Sequence, residues 1–309
     1  MSWKLLATVA AAMVAAAAPP ADARTGDTPL ERLLHDDRAT VLVASHRACW
    51  KKAPENSIDG IRVCIADGID MVEIDLRTTR DGALVLMHDE TVDRTTDGHG
   101  AVADLTLAEL RRMRLRDHGG GPAEALTDRR IPTFAEALTA ARGRVLVNID
   151  VKAAALDRII DAVVAQRATR AVVLNVPIAV DPAIMRRARR LGIATQPVYL
   201  QRQSPISAAI ALRRAAALQP TAIQLIFDDP AILDDARPAA ANVRLFVNTM
   251  GSDIETGRPM NLAGPFLDSR AVGDPGAVWG VLIGKGVTII QTDEPWRLKA
   301  WLHAKGLRR

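Results

Sequence analysis

Aromatic residues are scarce: one tyrosine, four phenylalanines and five tryptophans in 309 residues. So few stacking platforms argue against an RNA- or DNA-binding module. Charge of one sign is also lacking, with 40 lysines and arginines against 36 acids and a formal net charge of +4. That excess suits attraction of small anions more than binding of a polyanion. Only two cysteines occur, Cys49 and Cys64, without Cys-x-x-Cys spacing, which is not the pattern of a structural zinc site. An exported protein can oxidise such a pair, but geometry decides whether the sulfurs meet, and spacing does not supply it. Nor does the N-terminus hold a membrane-spanning run. The uncharged stretch from Leu5 to Ala18 is short of the roughly 20 residues needed to cross a bilayer. Preceded by Lys4 and followed by Ala21-Asp22-Ala23, it reads as a signal peptide over residues 1–23, cleaved before Arg24. The mature chain is therefore expected to be exported, periplasmic or secreted, without stable insertion in a membrane.

The remainder, 24–309, suits one β/α barrel of roughly 250 residues. Short β-branched runs predict strands at Val41–Ser45, Met71–Thr79, Ala83–His88, Val145–Val151, Ala171–Val176, Thr195–Leu200, Thr221–Phe227, Val243–Asn248 and Val287–Thr292. Helical spacing separates most of them, as at Asn56–Ala66, Leu156–Arg167, Pro182–Leu191, Pro205–Leu218 and Pro295–Ala304. Alternating strands and helices mean βαβ units and a parallel sheet. The surplus strand is explained by Asp81-Gly82, a hairpin signal: Ala83–His88 folds back on Met71–Thr79, which leaves a (β/α)8 TIM barrel. The stretch of about 89–142, with Gly119-Gly120-Gly121-Pro122, reads as a small insertion after the second strand, with short helices among loops. No repeat and no interdomain linker is evident.

Barrel active sites gather where strands run out. Strand one ends in His46-Arg47, with Glu55 and Asn56 close behind. Glu73 and Asp75, at i and i+2, share one face of strand two. Two carboxylates inside a barrel repel and are poorly solvated, and a cation between them is the natural remedy. A two-residue turn at Asp81-Gly82 places His88 opposite Asp75 on that face, whereas a three-residue turn sends it to the other. Asn148, Asp150 and Lys152 alternate with apolar residues in the third parallel strand, so Asp150 completes a hard three-carboxylate set suited to Ca²⁺ or Mg²⁺. Arg47 and Lys152 can hold phosphate oxygens, and two histidines can supply acid and base near neutral pH. Each element alone has an ordinary structural explanation, such as ion pairing of Glu73 and Asp75 with Arg47 or Arg77. Their coincidence at the strand ends of one barrel does not.

These residues resemble the glycerophosphodiester phosphodiesterase family over nearly the whole mature chain. The resemblance is carried by His46-Arg47-Ala48, Ala53-Pro54-Glu55-Asn56-Ser57, the block from Val72 to Gly82 and the block from His88 to Gly98, with weaker matches at Asn148–Lys152 and Thr292-Asp293. It implies a β/α barrel that hydrolyses glycerophosphodiesters to sn-glycerol 3-phosphate and an alcohol, with one divalent metal held by Glu73, Asp75 and Asp150. It implies further that His46 and His88 are catalytic, that Arg47, Asn56 and Lys152 attend the phosphate, and that Glu55 lies near the metal. Three departures from the family pattern stand out: Ala48 where glycine is usual, Asp150 where glutamate is usual, and Leu245–Met250 followed by a long loop to Asp268 where a tryptophan motif is usual. Competing expectations are a barrel that cleaves lipid phosphodiesters, in the manner of phospholipase D or phosphoinositide-cleaving enzymes, and a catalytically silent phosphate-ester binder. The low aromatic content leaves little material for a membrane-binding rim, and a binder has no need of two proton-transfer groups. Which histidine is acid, which metal is preferred, whether the cysteines pair and the oligomeric state stay open.

Overall fold

Valine, isoleucine and leucine fit a pleated, buried surface, and every predicted run of them is a strand in the computed structural model, which describes residues 40–239 and 241–308. The expected signal peptide lies outside the described residues. The strands are β1 (Leu42–Ser45), β2 (Met71–Thr78), β3 (Leu84–Leu86), β4 (Leu146–Ala153), β5 (Val172–Pro177), β6 (Ala194–Leu200), β7 (Ala222–Ile226), β8 (Arg244–Asn248) and β9 (Val287–Thr292). Strand β1 pairs in parallel with both β2 and β9, so the eight parallel strands close into a (β/α)8 barrel, with β3 antiparallel on β2.

Alternation along each strand sends one set of side chains outward and the other into the barrel. Val72, Ile74 and Leu76 of β2 join the apolar layer beneath the helices, whereas Met71 joins Leu42, Ala44, Leu146, Val173, Ala194, Ala222, Phe246 and Ile289 in a separate cluster that fills the barrel at its N-terminal end. Above that plug the inward positions turn polar.

The β2–β3 hairpin differs from the two-residue expectation. Leu76 pairs with Leu86 and Thr78 with Leu84, so the loop is the three residues Arg80-Asp81-Gly82. Gly82 N donates to the Thr79 carbonyl at 2.9 Å, and Gly82 sits at φ 85°, as a three-residue hairpin ending in a left-handed glycine requires. The register slips by one, and a continued β3 would place His88 opposite Ile74. The strand stops first, at Leu86. The chain then bends, and Arg77 fixes the new course by donating to the His88 carbonyl at 2.8 and 3.0 Å.

Between β3 and β4 the excursion has a small core of its own, with Val92, Val102, Leu110, Leu115 and Ile131 packed on Val85 and Met87. Helix Phe134–Ala141, opened by a Thr133–Glu136 capping box, instead buries Phe134, Leu138 and Ala141 in the main core. It is the crossover helix leading into β4, so the excursion ends ahead of it.

After β1 the chain makes a tight turn in which Arg47, Ala48 and Cys49 lie at φ 43°, 55° and 58°, a left-handed run that costs about 1–2 kcal/mol per residue. Helix Ile58–Ala66, capped by Ser57, packs directly on it: a Cβ on Gly60 would collide with the Ala48 carbonyl oxygen. Cys49 and Cys64 form a disulfide across a sequence separation of 15, tying turn to helix. Closing a loop of that length contributes about 3 kcal/mol. The Cys49→Ser/Cys64→Ser chain is expected to lose about that much, read from its denaturant midpoint, and an unchanged midpoint would show that the staple is idle.

Candidate active site

The parallel register of β2 and β4 sets Glu73 beside Asn148 and Asp75 beside Asp150. Carboxylate oxygens of Glu73, Asp75 and Asp150 lie within 4.8 Å of one another, a group able to hold a cation. Lys152 already reaches into it, with Nζ 2.7 Å from Asp150 Oδ2 and 3.3 Å from Asp75 Oδ1. Asn56 aligns Asp75 through two bonds, Nδ2 donating to Asp75 Oδ2 at 2.8 Å and Oδ1 accepting from the Asp75 amide at 2.9 Å. Burial would raise Asp75, but Lys152, His88 and Arg47 outweigh it and hold the carboxyl well below its ordinary range. For Glu73 the balance goes the other way. Burial first, then repulsion from Asp75 and Asp150, pushes it well above the ordinary 4.5, despite the Arg47 amide donating to Oε2 at 2.9 Å.

Each site histidine is held through Nδ1 by a carboxylate. His46 Nδ1–H donates to Asp293 Oδ1 at 2.9 Å, and Trp50 Nε1 donates to the same oxygen at 2.6 Å. His88 Nδ1–H donates to Asp89 Oδ1 at 2.9 Å. A carboxylate acceptor puts the proton on Nδ1 and frees Nε2 for chemistry. Arg94 clamps Asp89 with two bonds of 2.7 Å and Glu55 with bonds of 2.7 and 2.9 Å. Glu55 also takes Arg47 Nη1 at 3.0 and 3.1 Å. Burial works against the charge on Arg47, and Glu55 and Asp75 outweigh it.

A cavity of about 400 Å³ opens here. On one flank stand His46, Arg47, Glu73, Asp75, His88, Asp150 and Lys152; on the other, apolar side chains including Val176, Val198, Leu200 and Ile226. The loop after β8 forms a small hairpin, Asp253 N donating to the Arg258 carbonyl at 2.9 Å, and adds Met250, Asp253, Met260 and Leu262 to the wall. Carboxamides floor the cavity. Asn148 donates to Asn175 at 2.8 Å, and Gln196 donates to Asn175 and Gln224 at 3.0 Å each. Gln291 reaches Glu73 at 3.4 Å.

Of the residues expected from sequence, His46, His88, Glu73, Asp75, Asp150, Arg47 and Lys152 all line this one cavity. Asn56 and Glu55 do not: Asn56 sits behind Asp75, and Glu55 between two arginines. Sequence reasoning passed over Arg94, the orienting roles of Asp89 and Asp293, and the carboxamide floor. A single Asn or Gln inside each apolar strand run, as at Asn175, Gln196, Gln224 and Gln291, was the available signal for the floor. A second group able to hold a cation, His88, Asp89 and Glu255, is disfavoured because Arg94 already neutralises Asp89.

A family model described as the glycerophosphoryl diester phosphodiesterase family matches residues 46–200, half of the chain, and one described only as a domain of unknown function matches 199–302. Glycerophosphodiester phosphodiesterase from Caldanaerobacter subterraneus subsp. tengcongensis is 42% identical over 112 residues, 36% of this chain and 45% of that protein. Glycerophosphodiester phosphodiesterase 1 of Mus musculus is 41% identical over 122 residues, 37% of this chain and 35% of that protein. The chain thus matches less than half the length of either relative. A crystal structure of a glycerophosphoryl diester phosphodiesterase from Parabacteroides distasonis has a TM-score of 0.68 at 24% identity, covering 90% of this chain and 91% of that one. An Oleispira antarctica phosphodiesterase in complex with the product sn-glycerol-3-phosphate has a TM-score of 0.61 at 22% identity, covering 85% and 96%. At these identities the two structures support the fold.

Because burial and repulsion push the Glu73 carboxyl well above its ordinary 4.5, the folded chain releases that proton at higher pH than the unfolded chain does. Stability therefore falls as pH rises from about 4.5 toward the raised folded value. Asp75, shifted downward, contributes stability above its unfolded value that is lost only in strong acid, outside that window. In chelator, Glu73→Gln is expected to flatten the slope and to melt higher than the unsubstituted chain as pH rises above the ordinary carboxyl range. Melting curves with the slope of the unsubstituted chain would refute the burial-and-repulsion account.

Proposed function

The chain belongs to the glycerophosphoryl diester phosphodiesterase family, and from that premise we propose that it hydrolyses glycerophosphodiesters to sn-glycerol 3-phosphate and an alcohol with the help of one divalent cation. One observation carries the reading: two carboxylate-oriented imidazoles and a three-carboxylate cluster face the same cavity. The donor set suits a hard ion, Ca²⁺ or Mg²⁺, because every ligand is oxygen, and a dication would offset the burial and mutual repulsion that push the Glu73 carboxyl upward. Glu73, Asp75 and Asp150 would hold it. When bound, such an ion supplies electrostatic stabilisation of charge on phosphoryl oxygens.

The chain's own groups do the rest. Arg47 and Lys152 offer charge to the phosphate. His46 and His88, each with Nε2 free, pass protons to the leaving alkoxide and from the incoming oxygen nucleophile. Asp293 and Asp89 keep both rings in the tautomer this requires. Asn56 and Glu55 act from behind, by holding Asp75 and Arg47.

The apolar flank of the cavity favours a second reading, in which the alcohol or the glycerol carries an acyl or alkyl chain, as in a lysophospholipid. Among the described residues no helix is long and apolar enough to cross a membrane. Export completes the proposal: residues 1–23 have the form of a signal peptide, and the Cys49–Cys64 disulfide suits an oxidising compartment. N-terminal sequencing of the processed protein is expected to begin at Arg24.

Glycerol 3-phosphate release from glycerophosphocholine, with Ca²⁺ or Mg²⁺ added, is the deciding assay. Chelator is expected to abolish release, and His46→Ala or His88→Ala to lower kcat by roughly 10²–10⁴. Release indifferent to chelator or to both substitutions would exclude the mechanism, and turnover of lysophospholipid alone would select the second reading.

A further inference from the structure

Asp268 stands where the long loop after β8 returns to the barrel, and it is buried without a cation. Among the described residues no lysine, arginine or histidine pairs with it, and burial pushes its carboxyl up to about 6. Its oxygens accept from three donors. Oδ1 takes the hydroxyls of Thr249 at 2.6 Å and Thr292 at 2.7 Å, and Oδ2 takes the Asp293 amide at 2.8 Å. The Asp268 amide in turn donates to the Thr249 carbonyl at 2.7 Å. Burying an acid with no cation beside it is costly even when it is hydrogen-bonded, and the three bonds converge on residues next to the active site.

Two of the three residues it grips, Thr292 and Asp293, also hold His46. The Thr292 carbonyl accepts the His46 amide at 3.4 Å, and Asp293 Oδ1 accepts His46 Nδ1–H at 2.9 Å. Backbone and ring of His46 are thus both referenced to the Thr292-Asp293 pair, which Asp268 locks by side chain at one residue and by backbone at the next. Trp50 bonds the Asp293 carboxylate but leaves its backbone free, and Asp268 is absent from the cavity lining. We propose that Asp268 is a positioning residue, which through Thr292 and Asp293 fixes the orientation and tautomer of His46. This rests on the hydrolase reading of the site. A carboxylate suits the task because it is acceptor-only and can meet all three donors, whereas an asparagine must turn its NH₂ toward one of them.

The test uses ¹⁵N-histidine-labelled mature protein. The sequence has six histidines, so His46 is assignable by the signal lost in His46→Gln. The parent is expected to show His46 as one tautomer, with the proton on Nδ1. Asp268→Asn is expected to give a mixture of tautomers and to lower kcat by roughly 10–100-fold with little change in KM. In an Asp293→Asn background the same substitution is expected to change kcat by no more than about twofold, since groups acting in series are not additive. Thr249→Val keeps the carboxylate and its bond to the Asp293 amide, so it serves if Asp268→Asn does not fold; it is expected to move the tautomer balance the same way, by less. A His46 tautomer indifferent to both variants, or a loss in kcat that is as large with Asp293→Asn present as without it, would overturn the inference. Should the parent hydrolyse no diester, the tautomer signal still decides the role of Asp268, and only the hydrolase reading falls.

Discussion

Three carboxylates share the mouth of the barrel, with oxygens within 4.8 Å of one another, and the surrounding structure answers that repulsion. Two like charges 4 Å apart repel by about 4 kcal/mol at an effective dielectric of about 20. Lys152 and Arg47 lie beside Asp75, and each cation then needs counter-charge of its own. Arg47 finds it in Glu55, Glu55 also meets Arg94, and Arg94 ends on Asp89, which holds His88. The chain of alternating charge runs from the barrel into the excursion after β3. Each member is expensive to bury alone and tolerable only with its neighbours in place. Orientation of His88 and charge balance at the carboxylates are thus one arrangement.

Depth along the barrel axis is graded to suit. Apolar side chains plug the N-terminal end, carboxamides form the next level together with Glu73, and the remaining cavity-lining charges stand above them. Neutral amides are suited to the middle level because each offers both donor and acceptor, so Asn148, Asn175, Gln196 and Gln224 bond one another without ions, although Gln196 Oε1 is left without a partner.

The first βα turn shows how local strain is accommodated. Three consecutive residues hold left-handed backbone, against their intrinsic preference. A disulfide, close packing on Gly60 and the Glu73 bond to the Arg47 amide hold them there. That turn sets the direction of Arg47 toward Glu55 and brings Trp50 to Asp293. Where the family resemblance leads one to expect glycine, Ala48 at φ 55° occupies a conformation glycine adopts freely, which makes the staple the more useful.

Strands, crossover helices and the cavity-lining acids and bases were legible in the sequence. Each depends on side-chain alternation or on short motifs, and period two on a strand specifies a face without any knowledge of its neighbours. Glu73 and Asp75 could be placed together on that ground alone. Partners across the sheet could not: register made Asp75 the neighbour of Asp150 and brought Asp293 to His46 from the far end of the chain. Even the hairpin turned on one residue, because Arg80-Asp81-Gly82 accommodates a two- or three-residue loop by local preference, and the folded chain takes the longer. What the sequence by itself determined was which residues face inward and what chemistry they carry. Which of them touch, which ions stay paired and which carboxyl is pushed upward were decided only by the closed barrel, since burial and distance between remote segments exist only once the chain is folded.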